Sequence, residues 1–149
     1  MREDRSQESP LTETDARKIV VQASLVEVDR VRRFLRDYLG GLGLKEEDEL
    51  KIELALHEIC VNIALYAYPE GRAGDLAIRI WRDDGTLFME IRDRGVPFDP
   101  AKKPNPDMMA KLRRGTRGGL GVFFFRTMMD GLSYRRDGDE NILTVSKKI

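Results

Sequence analysis

The chain has 149 residues, a length that one domain can fold while burying about 70% of its unfolded surface, and its 26 Lys and Arg are matched by 26 Asp and Glu. No basic excess supplies a general attraction to a phosphate backbone, so nucleic acid is not an expected partner. One cysteine, Cys60, has no second thiol to pair with, which excludes an intramolecular disulfide or a cysteine-rich zinc site; with no apolar run of the roughly 20 residues a spanning helix needs, the expectation is a cytoplasmic protein with no membrane partner.

Residues 1–15 mix acids, bases, Ser, Thr and Pro without apolar periodicity, and such a segment cannot bury enough surface to offset its ordering entropy. A flexible tail is expected over residues 1–16 and the folded domain over 17–149. The β-branched run at residues 19–24 predicts a strand, after which Val28, Val31, Phe34, Leu35, Tyr38 and Leu39 recur at helical spacing up to Gly40-Gly41. A second helix is expected to start in Glu46-Glu47-Asp48, where negative charge favours a helix N-terminus, and to run until Tyr66 and Tyr68 meet Pro69.

Residues 75–81 and 87–92 read as strands joined by the turn Asp83-Asp84-Gly85, hence as an antiparallel hairpin. Residues 96–118 carry Pro97, Pro100, Pro104 and Pro106 among scattered bases and read as a long irregular segment with one short helix over 108–112; loops of this length are usually functional or disordered. Gly118, Gly119 and Gly121 then open an apolar helix through residues 122–129, and strands at 132–136 and 142–148 flank the turn Asp137-Gly138-Asp139.

Three constellations carry chemistry. Residues 54–67 read LALHEICVNIALYA, apolar nearly all round, so Glu58 and Asn62 are expected to be buried, four positions apart and on one helical face. Burying a polar group without a partner costs roughly 2 to 7 kcal/mol, so something must compensate them: either a hydrogen bond to a neighbouring loop or a ligand. Next, an alternating strand ends at Asp93, followed by Arg94-Gly95-Val96-Pro97-Phe98-Asp99-Pro100. A carboxylate there can accept from an exocyclic amino group such as adenine offers, while glycine lets a flat ring approach the backbone; an ordinary turn is the alternative. Last, Arg117-Gly118-Gly119-Leu120-Gly121 leads into an apolar helix, whose free N–H groups form a cradle for phosphate. The glycines fit neither a P-loop nor a dinucleotide-binding fingerprint. His57 precedes Glu58 and is read as a structural residue of a buried helix.

In order and spacing these constellations resemble the N box, G1 box and G2 box of the GHKL ATPases, and more closely those of the bacterial anti-sigma-factor serine/threonine kinases. The N box E-x-x-x-N with a following A-Y is matched by Glu58, Asn62, Ala67 and Tyr68. The motif D-x-G-x-P-F-D-P is matched by residues 93–100, and G-G-L-G-x-x-x-x-[RK]-x-x-M-D by residues 118–130. Tyr66 stands where many such proteins have His, and Pro97 replaces the second glycine of the broader D-x-G-x-G.

The resemblance implies an α/β two-layer sandwich of the Bergerat type, with a mixed, mostly antiparallel sheet and helices on one face. It further implies ATP and Mg²⁺ as cofactors, with Asn62 as metal ligand and Glu58 as general base. Asp93 would take the adenine amino group, with Gly95, Pro97 and Phe98 beside it, Thr144 supporting the base, and Gly118, Gly119, Leu120 and Gly121 holding phosphates. The implied partners are an RNA polymerase sigma factor, an anti-anti-sigma (STAS) protein as phosphorylation substrate, and a second copy of the chain in a homodimer. The alternative is a nucleotide-dependent switch that binds its partner with little or no kinase activity; retention of Glu58 favours catalysis.

Overall fold

A computed structural model describes residues 14–69, 73–97 and 129–149. The chain enters as strand β1 (Thr14–Gln22), turns into helix α1 (Leu25–Gly40) and then helix α2 (Glu46–Asn62), which runs on into a π-helical turn (Ile63–Ala67). Two hairpins follow: β2 (Asp75–Asp83) with β3 (Thr86–Asp93), and β4 (Gly131–Asp137) with β5 (Glu140–Lys148). The strands form one sheet in the order β1-β2-β3-β5-β4. Every described pairing is antiparallel, so no parallel pair is present among the described residues and the mixed sheet expected above is here an antiparallel one.

The helices follow their apolar periodicity. Val28, Val31, Leu35, Tyr38 and Leu39 form the buried stripe of α1, and Ile52, Ala55, Leu56, Ile59 and Cys60 that of α2. Glu46, Glu47, Asp48 and Glu49 occupy the first turn of α2, where carboxylates complement the helix dipole. The strands alternate with period two: Leu76, Ile78 and Ile80 of β2 and Leu87, Met89 and Ile91 of β3 are fully buried, and they join the helix stripes in a single core. The helices therefore cover one face of the sheet. The other face carries Trp81 stacked on Phe88, ring centroids 5.3 Å apart, with Arg79 4.5 Å from the Trp81 ring centroid.

β1 begins at Thr14, earlier than the β-branched run that predicts it. Arg17 and Lys18 are polar, but they pair with Ile80 and Arg79 along a nine-residue β2, so the neighbouring strand extends the element beyond its own apolar pattern. Strand pairing thus reaches into the end of the expected tail, and residues 1–13 lie outside the described residues. The first hairpin closes at Asp84 and Gly85, with φ of 48° and 77°. Two consecutive left-handed residues make the tight turn whose twist matches antiparallel strands.

Candidate functional site

Among the described residues the buried polar or charged ones are Glu58, Asn62, Asp93, Asn141 and Lys147. Glu58 and Asn62 are buried one helical turn apart near the C-terminal end of α2. At Asn62 the helix widens into the π turn, a departure from regular geometry that recurs at functional positions. The chain leaves the helix at Tyr68 (φ −105°, ψ 136°), and the carbonyl of Ala67, left without a continuing helix to bond, accepts the backbone N–H of Val96 at 2.7 Å.

That bond fastens the helix end to the loop after β3. Asp93 ends the strand, and its Oδ1 accepts from the backbone N–H of Gly95 at 2.8 Å, the local side-chain bond by which aspartate shapes a turn. A Cβ at Gly95 would lie 2.1 Å from the Ala67 carbonyl oxygen, so only glycine permits this approach. The Arg94 N–H donates to the Tyr68 hydroxyl at 2.8 Å, and that hydroxyl donates to the Asp75 carbonyl. Helix end and loop are thus bolted together by Ala67 and Tyr68, the residues matching the A-Y of the first motif.

From the sheet side the same loop is held by β4 and β5. Asn141 Nδ2 donates to Asp93 Oδ1 at 2.9 Å and to the Val96 carbonyl at 2.8 Å. Arg136 Nη1 donates to the Gly95 carbonyl at 2.8 Å and to Asn141 Oδ1 at 3.1 Å. Burial pushes the Asp93 carboxyl above its ordinary value, opposed by the bonds from Asn141 and Gly95 and by the charge of Arg136. Burial likewise raises the Tyr68 phenol and pushes the Cys60 thiol up to about 12, so the cysteine two residues after Glu58 is an inert core residue.

Of the residues singled out from the sequence, Asp93, Gly95 and Pro97 share one loop and line an open cleft, whose walls also include Lys18, Gln22 and Arg92. Glu58 and Asn62 do not line that cleft; the described residues join them to the loop through the π turn and Ala67. Phe98, Gly118, Gly119, Leu120 and Gly121 lie outside the described residues, as do the expected helix over 108–112 and all but Met129 of the one expected over 122–129. His57 lines a crevice with Arg32, Leu35 and Glu53 between α1 and α2, in keeping with a structural role.

Thr144 requires a correction. Asp93 pairs with Asn141, while Thr144 pairs with Glu90 and Ser133. Three residues from Asn141, it has the opposite strand phase and lies on the sheet face away from the helices, so the structure does not bring it to Asp93. The residue that does meet Asp93 is Asn141, which sequence reading missed. Its signal is a carboxamide at the inward phase of a strand that continues with Leu143 and Val145, both buried.

No group of three or more His, Cys, Asp or Glu able to cage a metal occurs among the described residues, and none of the described helices is long and apolar enough to cross a membrane.

Comparison with known proteins agrees with this architecture. The serine-protein kinase RsbW of Bacillus thuringiensis (strain Al Hakam) is 27% identical over 130 residues, covering 85% of this chain and 79% of that protein. The serine-protein kinase RsbW of Bacillus anthracis (strain A0248) matches with the same identity and coverage. Among solved structures, the RsbU and RsbW domains of Rv1364c from Mycobacterium tuberculosis superpose with a TM-score of 0.63 at 17% identity, over 91% of this chain and 32% of that one. The SiaB-SiaC complex from Pseudomonas aeruginosa gives 0.53 at 17% identity, covering 88% of this chain and 89% of that one. Both share the fold. Residues 21–147 match the model of the histidine kinase-like ATPase domain; with the helix end and the D-x-G loop joined as described, the chain belongs to that family.

Proposed function

We propose that this chain is an ATP-dependent serine/threonine protein kinase and anti-sigma factor, which binds a sigma factor and phosphorylates an anti-anti-sigma protein of STAS type. The observation that carries the reading is the buried Asp93 carboxylate, held by Gly95 and Asn141 through Oδ1 and fastened through Val96 to the end of the helix bearing Glu58 and Asn62. Its similarity to the serine-protein kinases RsbW supports kinase activity, and the occurrence of a similar fold in the SiaB-SiaC complex supports a protein partner.

The residues present fit the nucleotide and its metal. Both described hydrogen bonds to Asp93 end on Oδ1, leaving Oδ2 to accept the amino group of adenine. Asn62 offers a carboxamide oxygen, a donor of the hard type magnesium prefers. A magnesium ion held there would take most of its remaining ligands from phosphates and water. The family resemblance assigns Gly118, Gly119, Leu120 and Gly121, which lie outside the described residues, to the phosphates.

Bound Mg-ATP would supply the transferable phosphoryl group and the charge neutralisation that such a transfer chiefly needs. Asp93 orients the base. Asn62 would hold the metal end. Glu58 would take the proton from the attacking serine hydroxyl while the serine oxygen bonds to the γ-phosphorus and the bond from that phosphorus to the bridging oxygen breaks, ADP leaving with that oxygen, the role of a carboxylate general base.

The test is to incubate the protein with Mg-ATP and a recombinant STAS-type protein and to read intact masses for a gain of one phosphate. Glu58→Gln should lower the rate by about 10²- to 10⁴-fold, as loss of a general base does, while nucleotide binding persists. Transfer at an undiminished rate removes Glu58 from the mechanism. A partner that binds only with nucleotide present and is never phosphorylated makes the protein a switch instead.

A further inference from the structure

Asn141 sits at the crossing of five polar groups. Its amide donates to Asp93 Oδ1 at 2.9 Å and to the Val96 carbonyl at 2.8 Å, with the Gly95 carbonyl at 3.5 Å. Its oxygen accepts from Arg136 Nη1 at 3.1 Å and from the Tyr134 hydroxyl. The acceptors lie on one side of the amide and the donors on the other, which fixes its orientation. A hydroxyl has one hydrogen and a carboxylate none, so only a carboxamide donates twice and accepts twice from this position. The partners come from three elements: Asp93 from the end of β3, Val96 from the loop, and Tyr134 and Arg136 from the edge strand β4.

We infer that Asn141 is the positioning residue for base selection, acting through Asp93. The inference rests on the reading of Asp93 as the group that meets the exocyclic amino group. With Oδ1 tied to Asn141 and Gly95, the carboxylate cannot rotate, and Oδ2 presents a fixed acceptor to the ligand. A free carboxylate could turn or recruit water and would tolerate a carbonyl in the same place; a fixed one repels it. Tyr134 and Arg136 extend this control by aligning the amide, so the edge hairpin takes part in choosing the base without touching it.

The test compares ATP with inosine triphosphate, which carries a carbonyl where adenine has its amino group, by titration calorimetry on the full chain. Wild type should prefer ATP. Asn141→Ala should weaken ATP by about tenfold or more, the effect of losing a hydrogen bond to a charged group, while leaving inosine triphosphate essentially unchanged, so that discrimination collapses. Equal weakening of both triphosphates would show a merely structural residue and overturn the inference while leaving the nucleotide reading intact. Should Asn141→Ala fail to fold by circular dichroism, Tyr134→Phe decides: it keeps the ring and removes only the hydroxyl, and it should lower the ATP preference by a smaller factor. An unchanged preference in that folded variant overturns the inference. If wild type binds neither triphosphate, or prefers neither, the reading of Asp93 falls and the inference with it.

Discussion

The α-carbon of Gly95 lies so close to Ala67 that an added Cβ would come 2.1 Å from the Ala67 carbonyl oxygen, and the next residue donates its N–H to that same oxygen at 2.7 Å. Gly95→Ala must therefore push the loop off the helix end and break the Val96 bond. The expected cost is about 1 to 3 kcal/mol of unfolding free energy, the range for inserting a methyl into a filled space. Urea denaturation measures it, and a variant as stable as wild type would mean that the loop does not press on the helix.

The raised carboxyl of Asp93 has consequences of known sign. Its folded-state pKa exceeds its unfolded one, so the native state holds the proton more tightly. This group's contribution to stability therefore declines as pH rises from the ordinary carboxylate range, near about 4, through the raised value. Asp93→Asn should abolish that component and leave the ligand-free protein at least as stable as wild type at neutral pH. Nucleotide affinity in wild type should fall on acidification, starting at a higher pH than an ordinary aspartate would give. Thermal melts and titrations across pH check both.

In the proposed function Asn62 is the one metal ligand that the protein itself would supply. Adding Mg²⁺ should tighten ATP binding to wild type, and chelation by EDTA should remove that gain. In Asn62→Ala the affinity should already match the chelated level and respond little to the metal. A variant that keeps the full response places the metal on other groups.

Cys60 has no exposed surface, and burial pushes its thiol up to about 12. It should remain unreactive toward a thiol reagent such as Ellman's in the native protein and react with one equivalent after denaturation. Fast native labelling would show that the core at the end of α2 opens readily.

Much of this was legible because it is local. Helical spacing marked α1 and α2, Asp84-Gly85 marked the hairpin turn, and Asp93-x-Gly95 marked a side chain that bonds its own turn. What was not legible depends on pairing between distant segments. Asn141 faces Asp93 only because β5 pairs with β3 in a register that sets them opposite each other; Thr144 is implied by the family resemblance alone, and its strand phase places it on the other face. The polar start of β1 is likewise ordered by β2 rather than by its own residues. Nothing in the apolar stretch after Asn62 announces a π turn, since its residues suit an ordinary helix equally well.

The central claim is a nucleotide site shared by the α2 end and the D-x-G loop, and calorimetric titration of Mg-ATP into wild type, Asp93→Ala and Asn62→Ala tests it most directly. The account predicts one equivalent bound by wild type and at least about tenfold weaker binding in each folded variant, as loss of a charge-assisted contact implies. Binding to both variants with wild-type affinity would contradict it.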